Sequence, residues 1–147
     1  MSRTITYREA LNEALAEEMR RDQSVFVYGI DVGDHKRIFN STKGLVEEFG
    51  PARCFSTPLA EDAMTGFGLG AAINGMRPVH VHMRMDFLML GINQLVNMIA
   101  THCYGSGGTM KPPTPRIGSA MKAAISPVVE VIINSSMSSA QASPHSG

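Results

Sequence analysis

The chain has 147 residues, and its thirteen basic and thirteen acidic side chains cancel without gathering into a block of either sign. That length can bury a core without disulfides or a structural metal, and the charge balance removes the electrostatic case for nucleic acid or an anionic membrane surface. Two cysteines, Cys54 and Cys103, make neither a CxxC pair nor a zinc spacing, so reduced, buried thiols in a cytoplasmic protein are expected. The first residues turn polar quickly, and no apolar run approaches the roughly 20 residues needed to span a bilayer, so the reading is a soluble chain without a secretory signal.

Thr6 followed by Glu9 is a capping-box pattern, and Ala10, Leu11, Ala14, Leu15 and Met19 recur behind it at helical spacing. Residues 24–29 form a short apolar run closed by glycine, which suits a buried strand, with Asp31, Gly33 and Asp34 turning the chain after it. A second helix is predicted over about 42–49 and a brief strand over 54–56. Thr57 and Pro58 break that strand ahead of a small-residue helix over about 61–74, which Gly75 ends. Residues 78–83 alternate as a strand, and 88–102 read as one long apolar helix. Strands alternating with helices predict an α/β fold, a mostly parallel sheet covered on both faces.

From Gly105 the character changes. Gly105, Gly107 and Gly108 make a turn, and Pro112, Pro113 and Pro115 follow. Beyond them only residues 128–133 look like a strand. The serine-rich stretch from about Asn134 offers too little apolar surface to offset its ordering entropy, so it is expected to be mobile.

Three features invite chemistry. Gly66, Gly68 and Gly70 resemble a nucleotide loop, but they fall inside a predicted helix and not at a strand-to-helix turn, where close helix packing is their use. His80, His82 and Arg84 share one face of a predicted strand. That spacing is open to a metal pair, to contact with a polar substrate, or to a polar sheet edge or subunit contact. Glu61 stands at a helix start, where an acidic side chain already interacts favourably with the helix dipole.

Several segments in order resemble the beta subunits of pyruvate and branched-chain 2-oxo acid dehydrogenases. They are VYGIDVG at 27–33, TKGLVEEFG at 42–50, TPLAE at 57–61, GFGLGAAINGMRP at 66–78, MDF at 85–87, QLVN at 94–97 and YGSGG at 104–108. The resemblance implies a transketolase-like pyrimidine-binding domain over residues 1–113, incomplete at its C-terminal end, followed by a divergent tail over 114–147. It implies that Glu61 hydrogen-bonds the aminopyrimidine nitrogen of thiamine diphosphate, that Phe87 stacks on the ring and that Leu59 lines its pocket. A carboxyl sharing a proton with that nitrogen favours the imino tautomer, whose exocyclic nitrogen removes the thiazolium proton. An apolar surround from Leu59, Phe67 and Phe87 would help Glu61 keep that proton near neutral pH.

This chain also departs from the family. Ile30 stands where a glutamate is common in the turn after the first strand, and His80, His82 and Arg84 replace a largely apolar strand carrying one glutamate. After Pro113 the expected strand, the histidine-bearing segment and the C-terminal domain are missing. The chain has no Gly-Asp-Gly motif, so diphosphate and magnesium are expected on an alpha subunit, with no metal held here. The expected function is the aminopyrimidine side of a site for oxidative decarboxylation of a 2-oxo acid, inactive alone. Self-association as in a heterotetramer and acyl transfer to a lipoyl acyltransferase are expected with it. The alternative is a non-catalytic relative serving as an assembly or interaction module.

Overall fold

The computed structural model describes residues 4–33, 40–110 and 130–133, without the side chains of Tyr7, Met85, Cys103 and 130–133. The capping box forms: the Glu9 amide donates to Thr6 Oγ1, the Thr6 amide donates to Glu9, and helix α1 runs Tyr7–Arg21. Strand β1 (Val25–Gly29), helix α2 (Leu45–Phe49), strand β2 (Cys54–Ser56), helix α3 (Glu61–Ile73) and strand β3 (Arg77–His82) follow. Helix α4 (Met85–Leu88), a 3₁₀ turn (Met89–Gly91), a π-helix (Gln94–Ile99), helix α5 (Ala100–Gly105) and strand β4 (Glu130–Ile133) complete the described elements. The strands form one parallel sheet in the order β2-β1-β3-β4, the α/β architecture expected from the alternation. The expected mobility from Asn134 onward lies outside the described residues.

The sheet has two chemically different faces because strand side chains alternate. Val25 and Val27 of β1 and Val79 and Val81 of β3 point to the side where Leu15, Ala16 and Met19 of α1 and Leu45 of α2 complete an aliphatic core. Their neighbours Phe26, Tyr28 and His80 point the other way, under α3, where Phe67 meets Tyr28 edge-on at 5.2 Å. Burial of the first face supplies the hydrophobic driving force, and the second carries the polar groups.

Two local devices hold this frame. Arg53 donates to the carbonyls of Met19, Asp22 and Val25, joining the end of α1 and the start of β1 to the residue before β2. Gly29 has φ of +151°, and a Cβ there would lie 2.2 Å from the Val81 carbonyl oxygen, so only glycine lets β1 close on β3 at this point.

The second half differs from the sequence expectation in detail. The predicted continuous helix over 88–102 begins earlier and is not uniform: after α4 comes a 3₁₀ turn at Met89–Gly91, then a π-helical stretch at Gln94–Ile99, then α5. The tight turn brings Gly91 against α3, where a Cβ would sit 2.8 Å from Thr65 Oγ1. Beyond that contact the π-helical stretch lays Leu95 and Ile99 on Leu69 and Ala72.

Candidate functional site

The carboxyl ends of β1, β2 and β3 and the first turn of α3 meet at one pocket, lined by Ile30, Thr57, Glu61, Met64, His82 and Phe87 among others. This is where an open parallel sheet ordinarily receives a ligand. Pro58 turns the chain out of β2, and Glu61 begins α3 in a position complementary to the helix dipole. Glu61 is only 8% exposed, and its Oε1 is buried without a hydrogen-bond partner. Thr57 Oγ1 and His82 Nε2 are likewise buried and unpartnered, and among the described residues these three atoms are the ones in that condition. All three residues line this one pocket.

A second layer holds the site in place. Thr65 Oγ1 donates to the Glu61 carbonyl at 2.7 Å and lies 3.4 Å from His80 Nδ1. Tyr28 donates its hydroxyl to the Met64 carbonyl at 2.9 Å. Burial pushes the His80 ring down to about 3, with the neighbouring His82 adding to the effect, so His80 is neutral. Burial also lowers the His82 pKa, and Glu61 opposes that shift. Burial raises the Tyr28 phenol above its ordinary value.

The sequence-predicted residues fall unevenly. Glu61 and Phe87 come together on the pocket, whereas Leu59 is 75% exposed and outside its lining. Phe67, six residues beyond Glu61, is turned about 120° around α3 and packs with Phe26, Tyr28 and Phe55. The expected apolar surround of Glu61 is therefore supplied by Ile30, Met64 and Phe87, beside two imidazoles. The sheet-edge reading of His80 and His82 is corrected: β3 lies between β1 and β4, and the two side chains are 3% and 2% exposed. Arg84 stands beyond the strand end, exposed and paired with Asp86. Thr57, read from sequence only as a strand breaker, is a pocket residue; its place directly before Pro58 and four residues before Glu61 was the available signal.

The glycine-rich segment lies inside α3, where Gly66 packs against the Gln94 side chain. Among the described residues no group of three or more histidine, cysteine, aspartate or glutamate side chains gathers to hold a metal ion. No described helix is long and apolar enough to cross a membrane.

Residues 3–113 match the family described as transketolase, pyrimidine binding domain. The chain is 44% identical over 110 residues to the pyruvate dehydrogenase E1 component subunit beta of Rhizobium meliloti (strain 1021), covering 75% of this chain and 24% of that protein. It is 50% identical over 105 residues to the chloroplastic subunit beta-4 of Oryza sativa subsp. japonica, covering 71% and 26%. It is 41% identical over 112 residues to the mitochondrial subunit beta-1 of Arabidopsis thaliana, covering 76% and 31%. The chain thus spans about a quarter to a third of the length of these relatives.

Proposed function

Because the chain belongs to the transketolase pyrimidine-binding domain family, we propose that it supplies the aminopyrimidine side of a thiamine-diphosphate site for oxidative decarboxylation of a 2-oxo acid. The observation that carries this reading is the pocket in which the unpartnered Glu61 Oε1 stands beside Phe87. A carboxyl oxygen awaiting a partner and an aromatic ring lining the same pocket are the groups that a flat, nitrogen-bearing ring would use, one for a hydrogen bond and one for stacking. Thiamine diphosphate, when bound, supplies the carbon nucleophile that acts on the 2-oxo acid. With the ring in place, the Glu61 carboxyl hydrogen-bonds the facing ring nitrogen and passes a proton along that bond. Phe87 sets the ring plane, and Ile30 and Met64 keep water from the carboxyl.

In this reading residues 1–113 form the pyrimidine-binding part and 114–147 a divergent tail. The chain has no Gly-Asp-Gly motif, so diphosphate and magnesium belong to an alpha subunit. A lipoyl acyltransferase takes the acyl product. The cysteine usage fits a reducing compartment, and relatives named as chloroplastic and mitochondrial extend the choice beyond the cytoplasm.

The test is hydrogen-deuterium exchange at the thiazolium carbon of cofactor bound to the chain assembled with an alpha subunit. Glu61→Gln keeps size and hydrogen bonding but cannot pass a carboxyl proton, so exchange slows by about 100- to 10,000-fold while cofactor still binds. A mere dipole role predicts unchanged exchange and a loss of only about 0.3 to 1 kcal/mol in stability. Unchanged exchange would favour the second reading, a non-catalytic assembly module, for which the exposed Met89, Leu90, Ile92 and Val96 speak.

A further inference from the structure

His80 and His82 lie on one face of β3 and are both nearly inaccessible, yet the protein treats them differently. His80 stacks on Tyr28 with ring centroids 4.6 Å apart and faces Thr65 Oγ1. Thr65 gives its one hydroxyl proton to the Glu61 carbonyl, so His80 Nδ1 is the donor towards Thr65, and the protein alone accounts for the orientation and tautomer of this ring. His82 leans on the His80 ring at 4.1 Å, but its Nε2 has no partner. Buried polar atoms are almost always paired, and an exception is met by an ordered water or by a ligand. Here that atom shares a pocket with two others in the same condition, Glu61 Oε1 and Thr57 Oγ1.

We infer that, given the aminopyrimidine reading of this site, His82 is a ligand-contact residue that hydrogen-bonds a polar edge atom of the ring whose nitrogen Glu61 holds. An aminopyrimidine has two ring nitrogens and one exocyclic amine, three polar sites against the three unpartnered groups of the pocket. A neutral imidazole meets either polarity, since the tautomer decides whether Nε2 donates or accepts. A carbocycle of the same shape would leave both His82 and Glu61 unsatisfied, so His82 makes the pocket selective for heteroaromatic rings.

The experiment titrates the full 147-residue chain with 4-amino-2-methylpyrimidine, following the imidazole nitrogen resonances and measuring affinity for the wild type, Glu61→Gln, His82→Phe and His82→Gln. The expected result is a shift of His82 Nε2 at saturation. His82→Phe, which keeps a ring without nitrogens, weakens binding about 5- to 30-fold, and His82→Gln recovers part of the loss. The shift is read on the wild type and does not depend on a variant folding. If the wild type binds and Glu61→Gln weakens it, while His82 Nε2 stays unmoved and His82→Phe binds as the wild type does, His82 is removed and Glu61 stands. If the wild type does not bind the pyrimidine, the His82 inference falls, while the Glu61 reading is decided separately by thiazolium exchange in the chain assembled with an alpha subunit.

Discussion

Tyr28 and His80 are opposite each other in the parallel register of β1 and β3, and their rings stack 4.6 Å apart with planes 8° from parallel. The pair forms the floor of the polar layer beneath α3. Neither side chain can move without disturbing Met64 or Thr65, through which the first turn of α3 is held.

His80 makes stability depend on pH. Its folded pKa is about 3 against about 6.5 in the unfolded chain, so below pH 6.5 the unfolded state takes up a proton that the folded state refuses. Stability is therefore complete above about pH 6.5 and falls towards pH 3, by up to about 1.4 kcal/mol per pH unit for this one group. Urea unfolding midpoints at pH 5 and pH 7 should differ clearly in the wild type, and the difference should shrink in His80→Phe.

Tyr28→Phe keeps the stack and deletes the hydroxyl that donates to the Met64 carbonyl. A loss of about 0.5 to 1.5 kcal/mol is expected, with the aromatic packing unchanged. Denaturant unfolding measures the loss, and near-ultraviolet circular dichroism checks that the ring cluster survives.

Two glycines should respond in opposite directions to alanine. At Gly29 the new methyl meets the Val81 carbonyl at 2.2 Å, so Gly29→Ala should cost more than about 3 kcal/mol or prevent folding. At Gly70, inside α3, nothing lies within 4 Å, and Gly70→Ala should add about 0.5 to 1 kcal/mol through helix propensity. Thermal melts of the two variants would expose an error in either placement.

Met89, Leu90, Ile92, Val96 and Met98 leave apolar surface uncovered along the helical run after β3. Concentration-dependent association of the chain is expected, and Leu90→Lys with Val96→Lys should reduce it. Light scattering over a wide concentration range decides; a constant monomer mass in the wild type would contradict the expectation.

Much of this is legible in the sequence because it is local. Thr6 and Glu9 announce the first helix, and the alternation over 78–83 announces a strand that the structure has from Arg77 to His82. What alternation does not reveal is which neighbours cover each face, so the burial of His80 and His82 between β1 and β4 became visible only with the strand order. Residues 88–102 read as a plain helix because the 3₁₀ piece (Met89–Gly91) and the π piece (Gln94–Ile99) are each too short to imprint their own spacing on the apolar pattern. The candidate site divides in the same way. Glu61 and Phe87 are named by resemblance and share a pocket, while Thr57 and His82 stand out only once their polar atoms are seen to lack partners.

The two-faced β3 also guards its own alignment. A slip by one residue against β1 would carry Val79 and Val81 under α3 and drive both imidazoles into the aliphatic layer beneath α1, where nothing could accept their hydrogen bonds. Mispaired forms are thus penalised by the same histidines that furnish the pocket. Replacing them with valine would make the strand apolar on both sides and leave the misaligned sheet nearly as comfortable as the correct one.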